Sequence, residues 1–148
     1  MNEQRVVSVS REVHADPQVI FDLIADPAQH PRWDGNNNTQ EAQDSERITA
    51  VGQVFVMLNT SGNMRDSQIV EFEEGRLIAW KTGPVGEPRP GHIWKWQVEP
   101  KDEGALVTHT YDWTALTDEK RIERAQSYTP EALQRSVDRL AELAESQA

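Results

Sequence analysis

The sequence contains no cysteine. That excludes a disulfide framework and thiol chemistry and fits a reducing cytoplasm. A length of 148 residues lets one domain, spanning 1–148, bury a core without covalent staples. Long hydrophobic runs are missing too. No window approaches a membrane span, and the opening Met-Asn-Glu-Gln-Arg-Val carries no signal-like apolar stretch. The expectation is a soluble, unexported cytoplasmic protein with no integral membrane segment. Basic charge is scarce, with 15 Lys and Arg against 25 Asp and Glu and a formal net charge of −10. Phosphate backbones and anionic lipid surfaces are bound through an excess of Lys and Arg, so no nucleic-acid partner is expected. The charge serves solubility. The four histidines are scattered, without His-x-x-x-His or His-Glu-x-x-His spacing, and no Gly-x-Ser-x-Gly occurs, so neither a metal nor another cofactor is expected. Internal repeats, linkers and low-complexity tracts are lacking apart from the Asn36–Asn38 run.

What the chain does have is a dense aromatic stretch from His92 to Trp113. Bulky and polar residues alternate over His92–Glu99 and Ala105–Trp113, with a polar turn between them, which predicts a β-hairpin. A four-residue loop at Lys101–Gly104 makes Pro100 face Ala105, Val98 face Val107, Trp96 face His109, Trp94 face Tyr111 and His92 face Trp113. These side chains then share one face of the sheet, because strand side chains alternate with period two. Such a face is either filled core or the wall of a ligand cavity, and whatever covers it decides between the two.

The rest of the chain supplies candidates for that cover. Val7, Val9, Arg11 and Val13 alternate in a first strand over Arg5–Ala15. Asp16-Pro17 is a cap followed by a first-turn proline, and Val19, Ile20, Leu23 and Ile24 follow at helical spacing. Asp26-Pro27 repeats the device for a shorter helix. His30-Pro31 is expected to stop it, leaving Trp33 beyond the helix as a packing plug or a lid. After the Asp34–Asn38 loop, strands are expected at Glu46–Ala50, Gln53–Asn59, Met64–Glu73 and Arg76–Thr82, and an irregular loop at Gly83–Gly91. A short helix should begin at Asp118. Thr129-Pro130 opens a long one whose stripe of Leu133, Val137, Leu140 and Ala144 must be buried, with Glu131 and Arg135 expected to pair on its surface.

Tight turns at Ser61-Gly62 and Glu74-Gly75 put Phe55, Met57, Asp66, Gln68, Val70, Phe72, Leu77, Ala79 and Lys81 on a common face. Ile69, Ile78 and Trp80 then fall on the other side, an awkward outcome that a β-bulge would relieve. Asp66 and Lys81 are expected to approach as an ion pair. Arg89 is either solvated or set to orient a ligand carboxylate. The fold class is α+β, a curved antiparallel sheet of about seven strands wrapped around a long C-terminal helix, with two short helices after the first strand.

The order of elements is that of the helix-grip fold. Val-His-Ala-Asp-Pro-Gln-Val-Ile-Phe-Asp-Leu-Ile-Ala-Asp-Pro at Val13–Pro27, Gly-Arg-Leu-Ile-Ala-Trp at Gly75–Trp80 and the terminal helix resemble the START-like, or SRPBCC, superfamily of Bet v 1-like and polyketide cyclase/dehydrase-like proteins. The resemblance covers almost the whole chain. It implies a deep cavity between sheet and terminal helix for a hydrophobic or aromatic small molecule. Members include carriers, cyclases and chaperone activators, so the fold does not choose among functions.

Cavity walls are expected from Trp33, Phe55, Met57, Trp94, Trp96, Tyr111 and Trp113, with Asp66 and Gln68 as polar contacts. His92 and His109 would orient polar groups. In the alternative reading, a cofactor-independent cyclase or dehydratase, His109 or His92 is the base and Tyr111 the oxyanion donor. In a third, a chaperone-activator-like interaction module, the aromatic face is filled core. Oligomeric state stays open, a homodimer among the options.

Overall fold

The computed structural model describes residues 5–36, 38–43 and 45–147. Seven strands form one antiparallel sheet: β1 (Val6–Val13), β2 (Thr39–Gln43), β3 (Val54–Asn59), β4 (Met64–Glu73), β5 (Leu77–Pro84), β6 (Ile93–Lys101) and β7 (Gly104–Asp112). Their order is β1-β7-β6-β5-β4-β3-β2, so chain neighbours pair except where β1 closes on β7. Four α-helices complete it: α1 (Pro17–Ala25), α2 (His30–Trp33), α3 (Glu119–Ala125) and α4 (Pro130–Ser146), with a 3-10 turn at Pro27–Gln29. This is the α+β helix-grip arrangement.

The β6–β7 register is the one the aromatic matching specifies: Val98 with Val107, Trp96 with His109 and Trp94 with Tyr111. Pairing runs one step further, to Lys101 and Gly104, so only Asp102 and Glu103 remain as the turn, in place of a four-residue loop. His92 and Trp113 lie just past the paired ends. Asp16 caps α1 by accepting from the Gln18 amide at 2.8 Å, and α1 buries Ile20, Phe21, Leu23 and Ile24. Thr129 caps α4, whose Leu133, Val137, Leu140 and Ala144 are buried as expected. Full burial of each Leu or Val contributes roughly 1.5–3 kcal/mol. Arg135, expected to pair with Glu131, instead donates from Nε to Asn36 Oδ1 at 3.0 Å.

Several expectations are corrected. His30-Pro31 does not end the second helix, because His30 takes helical angles (φ −53°, ψ −44°) and Pro31 falls in the first turn of α2, where no amide partner is needed. His30 is fixed there by its ring, whose Nε2 bonds the Ile24 carbonyl at 2.7 Å. Trp33 is therefore the last residue of α2 rather than a neighbour of it. Glu46–Ala50 is no strand. Its Ile48 amide donates to Ala25 O at 2.9 Å, and Arg47 is ion-paired with Asp22 and Glu74, so the segment is tied to α1 and the β4–β5 turn. The strand before β3 is Thr39–Gln43, while Asp44 and Asn37 lie outside the described residues. β5 continues through Gly83 and Pro84 before the irregular loop begins.

The largest correction concerns β3–β4–β5. The Asn59 amide bonds Asn63 O at 2.8 Å, so Thr60–Gly62 form a three-residue turn, and Phe55 faces Ser67 rather than Gln68. A slip of one residue moves every β4 side chain to the other face. The β4–β5 turn is likewise one residue longer, and the register shifts again between Ile69 and Glu71. That bulge at Val70 lets Ile69–Trp80 and Phe72–Ile78, pairs of opposite parity, both point inward. Asp66, Gln68 and Lys81 consequently stand on the reverse face. There Asp66 meets Arg89 Nη2 at 3.0 Å, in place of Lys81.

Helix α4 rests on β1 and β7 and against α1 and α2, at one end of the concave face. It leaves the β3–β6 half of that face to other elements, α1 among them, which packs against β6.

Candidate functional site

The half of the sheet beyond α4 is walled by rings. The His109 imidazole lies on the Trp96 indole with centroids 3.7 Å apart and planes at 16°, and Trp94 stacks on Tyr111 at 4.1 Å. Trp33 meets Trp96 edge-on at 5.1 Å and is anchored by its indole N–H, which donates to Leu23 O at 2.8 Å. His30 stacks on Trp80 at 5.4 Å and meets Phe55 edge-on at 5.3 Å. Small side chains in the same layer stop the rings from closing up. Ser67 and Thr82 face each other across β4 and β5 with hydroxyls 2.8 Å apart, occupying positions where larger residues would fill the space.

The result is a cavity of about 190 Å³, lined by both walls and roofed by α2, by Asp34, Asn36, Asn38 and Thr39, and by α3. An apolar cavity of roughly 150 Å³ accommodates benzene, so this one suits a one- or two-ring molecule. The Asp34 carboxylate shapes the roof. It accepts from the amides of Asn36, Asn38 and Thr39 and from the Thr39 hydroxyl, which pins the loop in place. Gly35 lets that loop touch α4. Its amide donates to Ser136 Oγ at 3.0 Å, and a Cβ there would lie 2.4 Å from the Arg135 carbonyl carbon.

Three histidines line the space, all neutral near pH 7. Burial pushes His109 down to about 3, against a hydrogen bond from its Nδ1 to the Lys95 carbonyl at 3.1 Å. Because a carbonyl only accepts, the proton sits on Nδ1 and Nε2 keeps its lone pair. Burial likewise lowers His30 to about 4, and burial together with Arg121, Arg65 and Arg124 lowers His92 to about 4. Burial raises the Tyr111 phenol, which stays protonated and able to donate. Among the described residues that line the cavity, Trp96 Nε1 and His92 Nδ1 are buried without a hydrogen-bond partner.

Of the residues expected at the site, Trp33, Phe55, Met57, Trp94, Trp96 and Tyr111 line the cavity, as do His92 and His109. Asp66 and Gln68 do not, because the register slip turns them to the reverse face. Trp113 is buried in a separate cluster with Val7, Leu116, Ala125 and Leu133. The sequence reading missed His30 and Trp80, whose inward placement depends on the helical continuation through Pro31 and on the three-residue β3–β4 turn that brings Ile69, the partner of Trp80, to the Phe55 side. It also missed Arg65, Arg121, Arg124 and Tyr128 at the mouth. The three-residue spacing of Arg121 and Arg124 after the Asp118 cap marks a shared helix face but not what that face meets.

Similar proteins share this architecture. Protein MLL2253 from Mesorhizobium loti superposes with a TM-score of 0.74 at 13% identity, covering 97% of this chain and 99% of its own. DynU16, from the dynemicin biosynthetic locus, gives 0.69 at 15% identity, covering 98% of this chain and 49% of its own. The Aha1 dimer from Colwellia psychrerythraea gives 0.59 at 13%, covering 97% and 96%. At these identities the likeness is one of fold. No curated protein matches the chain in sequence. The model of the family described as polyketide cyclase/dehydrase and lipid transport matches residues 4–145, and with nearly the whole chain accounted for, this protein belongs to that SRPBCC-type family.

Proposed function

We propose that the protein binds a compact aromatic or hydrophobic molecule in the cavity between sheet and roof, without transforming it. The observation that carries this reading is the half-open space of about 190 Å³ walled by indole and imidazole rings. A filled aromatic core, as an interaction module of the chaperone-activator kind would have, leaves no such space. The unpartnered Trp96 Nε1 supports it further, since an unmet buried donor costs about 1–3 kcal/mol and a ligand acceptor would offset that.

The cyclase or dehydratase reading has one observation in its favour, the bare Nε2 of His109 on the cavity wall. A general base works best with a pKa near the working pH, and His109 at about 3 is far below it, as is His92 at about 4. Both are better suited to accepting a hydrogen bond than to removing a proton.

The test is a titration of ¹⁵N-labelled protein with benzyl alcohol and 1-indanone, following the five indole N–H resonances. The expected result is saturable shifts at Trp33, Trp80, Trp94 and Trp96 with Trp113 unmoved, abolished by Ser67→Leu, which fills the cavity. Uniform small shifts, or none, would overturn the reading. If His109→Ala removed turnover of a bound cyclic ketone while leaving its affinity intact, the enzymatic reading would take its place.

A further inference from the structure

The mouth of the cavity differs in kind from its walls. Arg65 lies on β4, opposite Met57 and on the cavity side of the sheet. Arg121 and Arg124 sit three residues apart on α3 and line the same opening, with His92 and Tyr128 beside them. Several other cations of this chain are matched by carboxylates, Arg11 by Asp138, Arg47 by Asp22 and Glu74, Arg89 by Asp66 and Lys95 by Glu71, while Arg32, Arg135 and Arg139 donate to neutral acceptors. Among the described residues, none of the three mouth arginines has an ion pair of this kind. Glu87 is the carboxylate whose field reaches Arg65, without forming a salt bridge.

This is costly on its own terms. Three guanidinium groups held around one opening repel one another, in a chain that carries ten more negative than positive charges and could have supplied a partner. The repulsion is felt at Arg65, whose pKa is lowered by burial and then by Arg124 and Arg121. A guanidinium is built to take a carboxylate in a two-pronged contact, and partial removal from water strengthens that contact. The rim is thus complementary to an anion, while the space behind it is complementary to a ring.

We infer that the ligand is an aryl carboxylate, its ring among Trp33, Phe55, Trp80 and Trp96 and its carboxylate at the mouth, held by Arg65, Arg121 and Arg124. The inference rests on the ligand-binding reading above and names the substrate class of that same site. The acidic surface then serves selectivity: it repels anions everywhere except at the opening.

Two isosteric pairs separate the inference from its foundation: benzoate with benzamide, and 2-naphthoate with 2-naphthamide, titrated calorimetrically at pH 7.5 in low salt. The acid of each pair should bind at least tenfold more tightly, about 1.4 kcal/mol. That advantage should shrink in 0.5 M NaCl and disappear in R65Q/R121Q/R124Q, while amide binding is unchanged. Lys101→Gln, remote from the cavity, should alter neither. Equal binding of acid and amide would overturn the carboxylate assignment and leave the binding function standing. Failure of all four compounds to bind would sink both, and an acid preference that survives in the triple variant would overturn the role of the arginines.

Discussion

The imidazole of His109 and the indole of Trp96 lie face to face, 3.7 Å between centroids, both shut away from bulk water. Stacking of this closeness needs a neutral ring at depth, since a buried imidazolium without a counter-ion is expensive. The pair therefore links the cavity wall to pH.

His109, His30 and His92 all titrate lower in the folded chain than in the unfolded one, at about 3, about 4 and about 4 against an ordinary value of 6.5. The unfolded state then binds more protons, so the stability they confer is complete above pH 6.5 and is lost as pH falls towards 4. For the two fully buried rings, His30 and His109, the loss is on the order of a few kcal/mol each by pH 4. Urea denaturation at pH 7, 5.5 and 4.5 should show a falling midpoint, with a shallower fall in His109→Gln. A midpoint constant across that range would show that these rings are not held neutral.

Val70 is the extra residue of β4, opposite no residue of β5. Deleting it leaves Ile69 and Phe72 two positions apart, so both still face Trp80 and Ile78 in an unbroken ladder, and the expected cost is below about 1.5 kcal/mol. Deleting Ala79 instead makes Ile78 and Trp80 adjacent in β5, so one of them must turn outward, and the expected cost is above about 4 kcal/mol, seen as loss of the cooperative melt. Equal effects of the two deletions would contradict the bulge.

Gly35→Ala places a methyl against the α4 backbone at Arg135 and Ser136. The roof must lift, and the bond from Gly35 N to Ser136 Oγ goes with it. A stability loss of about 1–3 kcal/mol is expected from this overpacking, larger than the roughly 1 kcal/mol for Ser136→Ala, which loses the bond alone. Thermal denaturation of the two variants side by side checks the order.

Asp66 and Gln68 face away from the cavity, where Asp66 pairs with Arg89. Asp66→Ala and Gln68→Ala should leave the affinity for 2-naphthoate within twofold of the unchanged protein. Asp66→Ala should lower stability by about 1 kcal/mol, as fits a partly exposed pair. A tenfold change in affinity from either would restore them to the site.

The local elements follow from short-range chemistry that a chain carries in its own order. Asp16-Pro17 and Thr129-Pro130 start helices because a side-chain acceptor and a missing amide suit the first turn anywhere. The β6–β7 register follows from the matching of Trp96 with His109 and Trp94 with Tyr111, since only one alignment puts those rings on one face. For that reason the class of fold, the aromatic wall and the family could be read from residues alone.

The site's other half depended on events with no local signature. Whether a turn holds two residues or three decides which side of the sheet Ser67 and Asp66 take, and both turn lengths were open to Ser61-Gly62. Trp80 faces inward because the three-residue turn puts its partner Ile69 on the Phe55 side, with the bulge at Val70 keeping Phe72 there too, and His30 joins the roof because its ring finds the Ile24 carbonyl. The arginines of β4 and α3 lie far apart in the chain and converge only once α4 has settled on β1 and β7, leaving the opposite half of the sheet to be roofed by other elements. Sequence order thus determined which elements form, because those choices are made within a few residues. The tertiary structure decided what faces the cavity, because parity and packing at a distance have no representation in any one segment.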